Sequence, residues 1–194
     1  MPWLRRYPAT LAMLLAGLLA VLATLAPPDP VASFGWHAAG SANWPLALVS
    51  AHFVHLGFGH LAVNVLAALL LGWCCDRFGL AGRLPAAALV ALGAVDLGLV
   101  YGPWPIAWYV GLSGLLHGVF AWLTLSLVWH PGLSDHRSVR IGAGVLFLGG
   151  LLKVVTGLAV PVGGVDWRGI PLATPVHIYG YLAGALWAWL RRDR

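Results

Sequence analysis

Gly111-Leu112-Ser113-Gly114-Leu115-Leu116-His117-Gly118 opens an apolar run that continues to residue 129. Three glycines, a hydroxyl and an imidazole fall within its first two turns. The run 113–129 is close to the ~20 residues that cross about 30 Å of hydrocarbon at ~1.5 Å per residue. Polar groups inside such a segment must be hydrogen-bonded within the protein or line a wet cavity. Their grouping at one end is therefore the feature to explain.

The rest of the chain has the same character. Of its 194 residues, 60% are hydrophobic and 9% charged, and there is no glutamate. A water-soluble globule does not need that ratio. Six spans are predicted, at about 9–26, 58–75, 85–101, 113–129, 141–160 and 174–190. Turn-forming residues separate them: Pro27-Pro28, Gly79 with Gly82, Gly102-Pro103, Pro131-Gly132 and Gly163-Gly164. The fold class expected is an all-α integral membrane bundle forming a single domain over 1–194, without internal repeats.

The arginines orient the bundle. Arg5 and Arg6, Arg77 and Arg83, Arg137 and Arg140, and Arg191, Arg192 and Arg194 all fall on one side if six spans alternate. The opposite loops hold only Arg168. The positive-inside rule then places both termini in the cytoplasm. The formal charge of +5 does not point to nucleic acid, because the basic residues are distributed over span ends. Pro27 directly after Ala26 disfavours signal-peptide cleavage, so the first span is expected to be retained. Trp36 and Trp44, in the long connection 27–57, suit the headgroup interface. Cys74 and Cys75 are adjacent and are expected to be free thiols.

With that topology, the second, fourth and sixth spans all bring polar residues to the outer third of the bilayer. His60 and Asn64, four apart, share one face of the second span. Ser113 and His117 do so on the fourth, and His177 lies near the outer end of the sixth. Gly114 with Gly118, and Gly180 with Gly184, are small-xxx-small pairs that allow two helices to approach closely in lipid. Such an approach would bring His177 to Ser113. A serine hydroxyl becomes a nucleophile when a neighbouring base takes its proton, and imidazole suits that role near neutral pH. Amide and ring N–H groups of Asn64 and His60, with the Ser113 backbone N–H, are candidate oxyanion donors, each typically worth about 2.7–4 kcal/mol. No acidic partner for His177 is evident, so a dyad is expected.

These residues resemble the rhomboid family of intramembrane serine proteases. His60 through Asn64 matches the family's HxxxN, Gly111-Leu112-Ser113-Gly114 its GxSG, and His177 through Gly184 its HxxGxxxG. The resemblance covers about residues 44–190 and is nearest to the rhombosortase subgroup. Three features carry the subgroup: GLSGLLHG at 111–118, the short six-span chain and the segment Ser50-Ala51-His52-Phe53-Val54-His55. It implies Ser113 as nucleophile and His177 as base, with His60, Asn64, Gly111 and His117 supporting them. It further implies cleavage of membrane-anchored proteins bearing Gly-Gly-type C-terminal anchors. The protein would lie in a bacterial inner membrane with its site toward the periplasm, substrate entering between the second and fifth spans. No cofactor is implied.

Two departures are visible. Many rhomboids carry a tyrosine four residues after the serine where this chain has His117, and the outer-loop Trp-Arg pair is not evident beside Trp44-Pro45. His117 is therefore a rival base, or a ring packed beneath His177. Asp96 and Lys153 lie at similar depth within apolar spans. They either pair or serve separate hydrogen bonds, and Lys153 is a further rival base. Asp76-Arg77 reads as solvated inner-loop charge, and 161–173 as a mobile cap. His52 and His55 lack a third ligand at suitable spacing, so no metal site is expected. Outside proteolysis, a membrane haem carrier using histidines of three spans, or a transporter using Asp96 and Lys153, would draw on the same residues.

Overall fold

A computed structural model describes residues 6–26, 29–38, 44–104, 106–130, 132, 136–159 and 174–192. The long helices are α1 (Pro8–Thr24), α4 (Phe58–Arg77), α5 (Leu84–Tyr101), α6 (Ser113–Trp129), α7 (Arg137–Gly157) and α8 (Thr174–Leu190). Short elements fill the first long connection: α2 (Pro30–Phe34), β1 (Trp36–His37) and α3 (Trp44–Ser50). Strand β2 (Trp108–Tyr109) pairs antiparallel with β1, placing Trp36 opposite Tyr109. Among the described residues, Phe58–Arg77, Ala81–Tyr101 and Arg137–Gly157 are long and apolar enough to cross a membrane, and Pro8–Thr24 and Ser113–Trp129 are apolar but shorter.

Helix limits follow local chemistry. Pro8 and Pro85 occupy first-turn positions, where a missing N–H costs nothing. Asp29 caps α2 by accepting from the N–H groups of Val31 and Ala32. After α4, Gly79 takes φ 71° and Leu80 N–H donates to Cys75 O at 2.8 Å, a Schellman-type stop. The fifth span begins at Arg137 and ends at Gly157, a few residues earlier at each end than the expected 141–160. Arg140 lies in its first turn and donates to Val128 O of α6 at 2.8 Å, which anchors that turn.

Helix α6 is the centre of the bundle. It buries Gly114, Leu115, Leu116, Gly118, Val119, Ala121, Trp122, Leu123, Thr124 and Leu127, whereas α7 buries only Ala143 and Val154. Helices α5, α7 and α8 surround it. The exposed leucines of α1 (Leu14, Leu18, Leu22) and α7 (Leu148, Leu152) form outward apolar faces that suit lipid, not water. A Cβ on Gly184 would collide with the Gly118 carbonyl oxygen, and one on Gly180 with that of Gly114. The two helices thus touch backbone to backbone.

Two expectations need correction. Trp36 is buried, not at a headgroup interface: β1–β2 pairing turns its indole into a cluster with Val95, Leu99, Ile106 and Val176. Asp76 is not solvated loop charge. It accepts from Ala9 N (2.9 Å), Thr10 N (2.8 Å) and Thr10 Oγ1 (2.6 Å), capping the first turn of α1 from α4. Gly72 makes that approach possible, since a Cβ there would lie 2.9 Å from Ala9 O. His52 and His55, in the connection before α4, are 0% and 2% exposed. Cys74 and Cys75 are free thiols. The Trp44 side chain and the segment 161–173 lie outside the described residues.

The α6–α8 contact generates a prediction. Gly184→Val should destabilise the protein by about 1–3 kcal/mol or more, because backbone cannot give way to the added methyl groups. Gly142→Val, at a position with open space around it, should be tolerated. Thermal unfolding in detergent separates the two, and equal midpoints would contradict the packing.

Candidate active site

The turn before α6 is built by residues far away in sequence. Gly111 has φ 113°, a conformation glycine adopts without steric cost. A Cβ there would also stand 2.7 Å from His60 Cε1. Gly111 N–H donates to Ala51 O at 2.8 Å, and the buried Tyr109 hydroxyl donates to Gly111 O. Burial raises the Tyr109 phenol above its ordinary range, so it stays a donor. His55 Nδ1–H donates to Phe53 O at 3.0 Å, which leaves Nε2 to accept from Leu112 N–H at 3.4 Å. Burial, and His60 beside it, lower the His55 imidazole to about 4. Beneath them His52 Nε2 lies 3.0 Å from Asp96 Oδ1, and its ring meets Tyr109 edge-on at 5.4 Å.

Ser113 is the first residue of α6, where helical geometry leaves its N–H without an intrahelical partner. Its Oγ is 2.9 Å from Nε2 of His177, a buried side chain in the first turn of α8. If the hydroxyl donates, Nε2 is the acceptor and the ring proton sits on Nδ1. Among the described residues, the charged or titratable groups acting on His177 are His117, Lys153 and His60, with no carboxylate among them.

His117 lies one turn below Ser113 on α6. Its ring stacks on that of His177, with centroids 4.3 Å apart and planes 19° from parallel. Nδ1–H donates to Ser113 O at 2.6 Å, and Nε2 lies 2.7 Å from Lys153 Nζ. Both nitrogens are engaged, neither of them with Ser113 Oγ. Two stacked imidazoles also cannot face each other across a haem plane.

On α4, His60 Nδ1 accepts from Leu56 N–H at 3.4 Å, which assigns the ring proton to Nε2. Its ring meets that of His55 at 4.9 Å. Asn64, 5% exposed, donates one amide hydrogen to His60 O at 3.0 Å. Ser113, His177, His117, Gly111 and His60 thus form one cluster, with Asn64 a turn deeper on the helix that carries His60. Gly114, Gly118, Gly180 and Gly184 line the seam that brings α6 to α8. Asp96 and Lys153 do not pair with each other: each has its own histidine. Tyr109 went unremarked in the sequence. The nearest signal for this underside was the pair of histidines in Ser50–His55.

The Rhomboid domain family matches residues 43–194. Uncharacterized protein Rv1337 of Mycobacterium tuberculosis (strain ATCC 25618 / H37Rv) is 30% identical over 148 residues, covering 74% of this chain and 58% of that protein. Uncharacterized protein ML1171 of Mycobacterium leprae (strain TN) is 32% identical over 146 residues, 71% of this chain and 52% of that one. Rhomboid protease GlpG of Salmonella newport (strain SL254) is 27% identical over 138 residues, 71% of this chain and 45% of that one. The match spans about half the length of these relatives.

The state of His55 gives a pH dependence. Its folded value of about 4 lies below the unfolded value of about 6.5. The stability it contributes is therefore complete above about pH 6.5 and is lost as pH falls toward the folded value. The unfolding midpoint in detergent should fall across that window, and His55→Gln, which has no titrating ring, should fall less. Identical pH profiles for the two proteins would contradict the buried neutral imidazole.

Proposed function

The chain belongs to the rhomboid family, and from that premise we propose that it is an intramembrane serine endopeptidase using Ser113 and His177. The observation that carries this reading is the 2.9 Å contact between Ser113 Oγ and His177 Nε2. Ser113 Oγ attacks the scissile carbonyl carbon as His177 Nε2 takes its proton. The oxyanion receives the Ser113 backbone N–H, the His60 Nε2–H and the second amide hydrogen of Asn64. His177 then protonates the leaving amine, the C–N bond breaks, and an acyl group remains on Ser113. Water resolves that ester, giving its proton to His177, and Ser113 leaves with a proton returned from the imidazolium. Among the described residues no carboxylate acts on His177, and the stacked His117 ring holds its plane.

In this reading six spans cross the membrane with both termini cytoplasmic, because every arginine cluster but Arg168 then falls inside. The dyad lies toward the outer face, the periplasmic side of a bacterial inner membrane. The substrate is a membrane-anchored protein whose helix unwinds locally, since a helical amide is shielded by its own hydrogen bond. Small residues at the cut lower that cost. Substrate reaches the dyad laterally between α4 and α7. The finer assignment is rhombosortase-like processing of Gly-Gly-type C-terminal anchors. GLSGLLHG at 111–118 supports it, as does Ser50–His55, whose histidines lie directly under the Gly111 turn.

The test is co-expression with a tail-anchored reporter bearing a Gly-Gly motif, an apolar helix and a basic end. Ser113→Ala and His177→Ala should each lower processing at least about a thousandfold. His117→Ala should retain reduced activity. Undiminished processing by Ser113→Ala would end the serine-protease reading. Normal processing by His177→Ala with loss in His117→Ala would move the base to α6. Cleavage of other anchors but not this one would leave a rhomboid protease of different specificity.

A further inference from the structure

Lys153 is the only lysine of the chain. It lies in α7, whose apolar window is only 11% buried, and its neighbours Leu152 and Val155 are exposed. A cationic side chain at membrane depth is expensive and persists where something engages it. Here the ammonium does not snorkel alone: Nζ is 2.7 Å from His117 Nε2.

We propose that Lys153 is a positioning residue for the reaction, holding His117 in one tautomer and one plane so that His117 can set the orientation of His177. This rests on the reading of Ser113 and His177 as the reacting pair. Because Nζ–H donates to Nε2, the ring proton of His117 sits on Nδ1, and from there it donates to Ser113 O at 2.6 Å. The imidazole is pinned at both nitrogens, one to the helix that carries the nucleophile and the other to α7. A ring held at two points cannot rotate about its χ2 bond without breaking a hydrogen bond. Its face lies 4.3 Å from the His177 ring, at 19°. The plane of His177, and so the aim of its Nε2 at Ser113 Oγ, is set from below by a platform that Lys153 completes.

The same arrangement explains why neither rival base is needed. His117 has no nitrogen directed at Ser113 Oγ, and Lys153 hydrogen-bonds His117 and neither Ser113 nor His177. Lys153 also joins α7 to the centre of the bundle at the depth of the site. Nearly two turns away along α7, Tyr181 of α8 adds a second tie by donating to Phe147 O.

The full chain in liposomes tests this with a fluorophosphonate probe that labels a reactive serine, alongside cleavage of the tail-anchored reporter. Lys153→Met fills similar volume and suits a lipid-facing helix, so it should fold. It should slow Ser113 labelling and lower kcat about tenfold through misorientation, with KM unchanged. Lys153→Arg, which still donates, should restore most of the rate. His117→Phe should also slow labelling, and adding Lys153→Met to it should change nothing further, since the two act as one unit. An equal loss from Lys153→Met in both backgrounds would overturn the proposal, as would a wild-type rate in Lys153→Met alone or a change confined to KM. Labelling of Ser113→Ala at the wild-type rate would instead overturn the dyad. The pair has a readout that needs no activity: the 15N resonance of His117 Nε2 must move when Lys153 becomes methionine. An unmoved resonance overturns the pairing even where Ser113 is reactive.

Discussion

Gly184 of α8 approaches the carbonyl oxygen of Gly118 on α6 so closely that a methyl group has no room between them, and Gly180 stands in the same relation to Gly114. In lipid there is no hydrophobic drive to press two apolar helices together, so association relies on close packing and on polar contacts between them. Glycine at four positions removes the side chains that would hold the axes apart. The register of that seam then decides everything near its outer end. Gly114 follows Ser113 directly, and Gly180 comes three residues after His177. Seating Gly180 on Gly114 places hydroxyl and imidazole 2.9 Å apart. No separate interaction has to pull them together.

Above the seam, several polar groups pair with one another. Tyr109 holds the Gly111 carbonyl, Ala51 O holds the Gly111 N–H and His55 the Leu112 N–H. These contacts occupy the backbone donors of the two residues before Ser113. Asp96 is matched by His52 and Lys153 by His117. Each unsatisfied group in an apolar surrounding would cost on the order of 1–3 kcal/mol. The partnered groups therefore gain rigidity along with stability, whereas the buried His52 Nδ1 has no partner among the described residues. In the proposed mechanism that rigidity serves a serine whose base has no carboxylate behind it among the described residues, and a stacked ring supplies the orientation instead.

Helix positions were largely legible in the sequence, because lipid imposes a length and forbids unpaired backbone. The spans read near 58–75, 85–101, 113–129 and 174–190 lie within a few residues of α4, α5, α6 and α8. The glycine pairs were legible as well, since their spacing of four marks one helix face. What failed were statements about single side chains in connections. Trp36 looked interfacial and Asp76 looked solvated. Yet strand pairing buries the first and the α1 terminus recruits the second. Composition reports what a residue prefers alone, and both preferences were overridden by an element distant in the chain.

The sequence by itself determined that this is a bundle of apolar helices, that Ser113, His60 and His177 stand at helix starts, and that two helices can meet along glycine. Periodicity and length encode those properties locally. Only the tertiary structure decided which histidine receives the Ser113 hydroxyl, that Asp96 and Lys153 serve different partners, and that His117 lies flat beneath His177. Those outcomes depend on how far each helix is rotated about its own axis. That rotation is set by contacts between residues as far apart as Ser113 and His177, or His117 and Lys153, which no local pattern records.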